Sequence, residues 1–192
     1  MDLYDIFISN SKVDFIKKVG LEDWWESAFT PKERKYIRSR NKDLFTLENY
    51  DDVLNFLYLL ASNLFTKNTE KHRRLAFIIL KKAVNSTEDQ LKLFDLYNLI
   101  IYMLDKYQDP SFYSSERLSD YCQKQIEISE KVLKIIKEED EESVKLFNHH
   151  GYKILAKMKL KQGKTAEALS IAKTAKSQNW SGEWDKIICC IE

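Results

Sequence analysis

Apolar residues recur along most of this chain at intervals of three and four, the period of helices that bury one face. The clearest case runs from Tyr50 to Phe65, where Val53, Phe56, Leu57, Leu60, Ala61 and Leu64 fall on one stripe. A second helix follows from Thr69 to Val84, with Ala76, Leu80 and Ala83 inward; small residues at that spacing let two helices approach closely. Gln90 to Tyr107 and Ser114 to Lys137 read as a further pair around a loop holding Asp109 and Pro110. The last hairpin joins a helix from about Glu141 to Lys161 to one from Thr165 to Ser177, turning at Gly163. Val144, Phe147, Gly151, Ile154, Leu155 and Met158 make the buried stripe of its first helix, with Gly151 permitting a close crossing. Ala168, Ala172 and Ala175 line the second. Trp184, Ile187, Ile188 and Ile191 then share one face of a short final helix, as needed to cover the open end of a stack.

The first forty residues carry a weaker pattern. Leu3, Ile6 and Phe7, then Val13, Ile16 and Val19, flank a polar break at Ser9 to Ser11 and end at Gly20, which predicts two short helices. Thr30, Pro31 and Glu33 are a helix start: an N-cap, a proline at the first helical position and a glutamate three residues after the cap. The helix they open fades near Asn41. The expected fold is therefore all-α, a right-handed stack of antiparallel hairpins in a single domain. Within it, residues 1–45 form N-terminal helices including a basic helix at 31–42, residues 46–179 form three hairpins, and 180–192 form a capping helix.

Composition supports that class without adding chemistry. In 192 residues, four glycines and two prolines leave few helix breakers, and 44% hydrophobic content can supply a core. A net charge of +1 gives no global pull toward nucleic acid, but six basic residues crowd Lys32 to Lys42 and Glu138 to Glu142 is wholly acidic. The start of the chain lacks the basic-then-apolar pattern of a secretory signal, and the apolar runs fall short of a membrane span, so a cytoplasmic protein with no membrane partner is expected. Three cysteines, Cys122, Cys189 and Cys190, suit a reducing compartment rather than a disulfide framework.

Catalytic motifs are missing: there is no Gly-rich phosphate loop, HExxH or Gly-x-Ser-x-Gly elbow. His149 and His150 lie near Asp140 to Glu142, but adjacent residues on a helix point about 100° apart and share one ion poorly. No metal and no cofactor is expected. Cys122, between Leu118, Tyr121 and Ile126, reads as a buried thiol, and Cys189 and Cys190 as packing beside the apolar face of the last helix. Arg34, Lys35, Tyr36, Arg38 and Arg40 are the candidate nucleic-acid contacts, with clustered cations for phosphates and a tyrosine to stack on a base.

Aligned without gaps, Tyr152 to Ala175 resembles a tetratricopeptide repeat. Tyr152 takes the large first-helix position, Leu155 and Ala156 the next two, and Ala168, Ala172 and Ala175 those of the second helix. Lys159 stands where an aromatic is usual, and Trp180 where a proline often ends the unit. Ala76 to Ala168 covers two steps of about 46 positions, against about 34 in the family, so only the last unit is a fair match. The ending with Trp180, Gly182, Trp184 and Asp185 looks like those of bacterial proteins of this helical-repeat type, which supplies no activity.

The resemblance implies a groove. In that family the first helix of each unit lines the concave face on which partner peptides lie, which places His150, Lys153, Lys157 and Lys161 on the binding side. The lysines recur every four residues, opposite Ile154, Leu155 and Met158, and would attract an acidic segment. The expected function is a non-catalytic protein-interaction module that binds a peptide or protein segment. The alternatives are a nucleic-acid-associated regulatory factor using Lys32 to Lys42, and a sensor of a small signalling peptide.

Overall fold

The computed structural model describes residues 15–46, 52–67, 69–139 and 147–191. The first of the two short helices expected, around Leu3, Ile6 and Phe7, together with Val13, Tyr50, the acidic residues 140–142 and Val144, lies outside them. The described residues are all-helical, with twelve α-helices and no strand. They divide into two compact units, Met1–Ser86 and Thr87–Glu192.

In the first unit, α1 (Phe15–Lys18), α2 (Glu22–Ala28), α3 (Pro31–Arg40) and α4 (Lys42–Thr46) precede a long hairpin of α5 (Val53–Thr66) and α6 (Glu70–Val84). The start of α3 is the one expected: the Thr30 hydroxyl accepts from the Glu33 N–H, and the Glu33 carboxylate accepts from the Thr30 N–H at 2.9 Å. Asn41 closes that helix. Phe56, Leu57, Leu60, Ala61 and Leu64 on α5 are buried, as are Leu75, Ala76, Leu80 and Ala83 on α6. Trp25 and Phe29 pack edge-on at 4.9 Å and extend this core toward Phe45 and Phe56.

The second unit contains α7 (Gln90–Tyr107), α8 (Ser115–Glu127), α9 (Ser129–Glu139), α10 (His150–Lys161), α11 (Thr165–Ser177) and α12 (Trp184–Cys189). Helix α10 packs against α7, α8 and α11, and α12 closes on α11. Its core gathers Phe94, Val132, Ile136, Tyr152, Ala172, Ala175, Trp180 and Trp184, with the Phe94 and Trp180 rings stacked at 5.2 Å. Gly163, at φ +72°, turns the α10–α11 hairpin in a conformation that side-chain-bearing residues rarely adopt.

Three local expectations are corrected. The helix expected over Ser114 to Lys137 is interrupted at Ile128 into α8 and α9. The Ser129 hydroxyl donates back to the Gln125 carbonyl at 3.1 Å, a bond that competes with the backbone ladder. The helix expected from Glu141 begins, among the described residues, only at His150. Phe147 to His149 are non-helical because the His149 ring caps α10 and Asn148 bridges to Ser181. Cys189 and Cys190 are exposed rather than packed, because the short α12 turns Trp184 inward and leaves its last residues outside.

Candidate functional site

Helix α10 is set in place by a buried polar node whose members come from α7, α8, α9 and the segment before α10. The Gln125 side-chain amide spends both N–H groups, one on the Phe94 carbonyl at 3.1 Å and one on Asn98 Oδ1 at 2.6 Å. Its oxygen accepts from the Gly151 N–H at 2.7 Å, and Asn98 Oδ1 also accepts from the His150 N–H at 3.2 Å. Two orphan donors at the start of α10 are thereby satisfied from neighbouring helices. The approach is close: a Cβ on Gly151 would lie 2.8 Å from the Cys122 carbonyl oxygen and 2.9 Å from Gln125 Oε1.

The same node contains a serine next to a histidine, and its proton order is readable. His149 Nδ1 accepts from the Tyr152 N–H at 3.2 Å, which places the ring proton on Nε2. That proton points at Ser129 Oγ, 2.6 Å away, and the Ser129 hydroxyl in turn donates to the Gln125 carbonyl. The imidazole therefore donates to the serine instead of taking its proton, the reverse of what an activated nucleophile needs. Burial also drives the His149 pKa down to about 3. Cys122 is equally inert, because burial lifts its thiol to about 12.

This node fixes which side of α10 faces outward. Tyr152, Ile154, Leu155 and Ala156 are buried, whereas Lys153, Lys157 and Lys161 are exposed in a row. Each of these three lysines is without a salt bridge among the described residues, whereas Lys159 on the flank pairs with Glu167. His150 is half-buried. Burial and then the Lys153 charge lower its pKa, against an opposing pull from Asp105. Glu183 stands near Lys153 but is paired with Lys186.

The His150 ring meets the edge of Tyr102 on α7 at 6.1 Å, so the lysine row continues into an aromatic patch on the neighbouring helix. Tyr102 and Tyr58 are the exposed large apolar side chains among the described residues. Lys106, one turn beyond Tyr102, donates to its hydroxyl at 2.7 Å, and this hydrogen bond raises the Lys106 pKa. Tyr102 and Asn98 were absent from the sequence-based site. The available signal was an aromatic on the polar side of the Gln90 to Tyr107 pattern with a lysine four residues later.

In the first unit the candidate nucleic-acid residues have been largely drawn inward. Arg34 donates to the carbonyls of Glu26 at 3.0 Å and Phe29 at 2.7 Å, where it fixes the turn between α2 and α3. Arg38 lies over the rings of Trp25 and Phe45, at 5.8 and 4.9 Å from their centres. The Tyr36 hydroxyl is bonded to His72 Nε2, and the ring is covered by Lys71 on one side and approached by Arg40. Of the five residues, Lys35 and Arg40 are exposed.

No helix among the described residues is long and apolar enough to cross a membrane. No protein-family model, curated protein or solved structure matches the chain.

Proposed function

We propose that the second unit is a non-catalytic interaction module that holds an acidic peptide or protein segment along the outer faces of α7 and α10. The observation that carries this reading is the exposed row Lys153, Lys157 and Lys161, without salt bridges and continuous through His150 with Tyr102. Long solvated lysines commonly cover helix faces with no further role. Here an aromatic that could have been buried stands beside them, and aromatic anchors ringed by complementary charge are the composition of binding patches. The tetratricopeptide-like spacing of Tyr152 to Ala175 supports the same side of α10, which takes the first-helix position in that comparison.

The chemistry follows from the residues. Ammonium groups one helical turn apart, about 6 Å along the axis, suit successive carboxylates on an extended segment, and Tyr102 offers an apolar contact beside them. Fluorescence anisotropy with a labelled peptide of alternating Glu and Leu, against its Lys and Leu counterpart, tests the reading. Preference for the acidic peptide, weakening steeply with salt, is expected. Equal binding of the two peptides contradicts it.

A further inference from the structure

Three helix ends converge on a small cavity in the first unit. Arg40 is the last residue of α3, Lys67 caps the end of α5, and His72 stands in the first turn of α6. With Asn41, Asn63 and Thr66 they line a space of about 220 Å³. At roughly 30 Å³ per water this holds a handful of waters, and it is below the usual range of organic-ligand pockets. Its walls are cationic and amide-bearing. Among the described residues no carboxylate lines it.

Cations at helix C-termini often do no more than offset the terminal carbonyls, and the magnitudes decide whether that suffices here. Two C-terminal ends, of α3 and α5, bring about −0.5 each, whereas Arg40 and Lys67 bring two full positive charges. The N-terminal end of α6, where His72 stands, adds about +0.5, so about one and a half positive charges are left over in a concave site. Arg40, Asn63, Thr66 and Lys67 are exposed at its rim, so an anion can reach them from solvent. His72 registers the same field: burial lowers its pKa first, followed by repulsion from Lys71, Arg40 and Lys67.

We propose that this cavity binds the phosphate group of a small soluble phosphate monoester, gripped by the Arg40 guanidinium and the Lys67 ammonium. Arg supplies a planar fork for two oxygens and Lys a point charge for the third, a pairing suited to a dianion. Both ring nitrogens of His72 are already taken, by the Tyr36 hydroxyl and by Thr69 Oγ1 at 2.5 Å, so His72 forms the wall and not a direct contact. The size of the cavity admits the phosphate and leaves the rest of the ester at its mouth.

Isothermal titration calorimetry at low ionic strength with inorganic phosphate, glycerol phosphate and a short phosphoserine peptide tests the site. Saturable one-to-one binding of phosphate and glycerol phosphate is expected, weakened by about tenfold or more in Arg40→Gln/Lys67→Gln. Lys32→Gln/Lys35→Gln, on the same basic helix but outside the cavity, keeps wild-type binding. As a second readout in the unaltered protein, phosphate raises the NMR titration midpoint of the His72 ring. Failure of phosphate and glycerol phosphate to saturate, equal binding by a folded double variant, or an unmoved His72 midpoint overturns the site. Tighter binding of the phosphopeptide than of glycerol phosphate overturns the choice of a small ester.

Discussion

Gln125 and Gly151 hold the candidate surface in place: the Gln125 side-chain oxygen accepts the Gly151 N–H at 2.7 Å inside a site with no solvent access. The bond joins α8 to the first turn of α10, the helix whose opposite side carries Lys153 and Lys157. Replacing Gln125 with Leu keeps the volume but strands the Gly151 N–H, whereas the Phe94 carbonyl, inside α7, keeps its helical bond. A stranded buried donor costs about 1–3 kcal/mol, so a loss of about 2 kcal/mol in urea-unfolding stability is expected.

Gly151→Ala sets two effects against each other. Alanine gains about 1 kcal/mol of helix propensity over glycine. The added methyl, however, would meet the Cys122 carbonyl oxygen at 2.8 Å, and a backbone atom yields only if α8 and α10 separate. Overpacking costs about 1–3 kcal/mol, and the Gln125 hydrogen bond lengthens with it, so the variant is expected to be net less stable by about 1 kcal/mol. A variant more stable than wild type would show that the crossing is looser than described.

The buried His149 makes stability depend on pH with a determinate sign. Its folded pKa, about 3, lies below the ordinary 6.5, so between these values the unfolded chain binds the extra proton. Stability is unaffected above pH 6.5 and falls below it by about 1.4 kcal/mol per unit until the folded pKa is reached. Half-buried His72 and His150 are shifted the same way and add to the slope. Urea unfolding at pH 7 and pH 5 should differ by about 2 kcal/mol from His149 alone, and His149→Asn should remove that share while still able to cap α10.

Thiol accessibility separates the cysteines. Alkylation of the native protein should label Cys189 and Cys190 quickly and spare Cys122, which is buried and held at a pKa of about 12. Mass spectrometry after brief iodoacetamide treatment reads the result directly. Labelling of Cys122 at the rate of the other two would mean that the α8–α10 contact opens readily.

Local signals carried much of the helical layout and little of the site. Thr30, Pro31 and Glu33 announce a capping box, and Ala168, Ala172 and Ala175 announce a buried stripe, because both depend on near neighbours in sequence. The start of α10 did not show itself, because its cap is a histidine, outside the usual Ser, Thr, Asp and Asn set. The break at Ile128 was hidden in the same way, since the apolar period runs through it and only the Ser129 hydroxyl reveals the competing bond. The lysine row was legible from its four-residue period. Its aromatic neighbour Tyr102 was not, because the contact with His150 joins residues far apart in the chain. On the basic helix, the contacts of Arg34, Tyr36 and Arg38 with carbonyls and rings were not legible either, because only the tertiary fold supplies those partners.

The central claim rests on Lys153 and Lys157, so one paired measurement tests it most directly. Charge reversal at both, Lys153→Glu/Lys157→Glu, changes exposed side chains and should leave unfolding stability within about 0.5 kcal/mol of wild type. Anisotropy titrations of the labelled Glu and Leu peptide against the two proteins should then show at least about tenfold weaker binding by the variant. Unchanged affinity in a variant of normal stability would contradict the account and remove α10 from the binding surface.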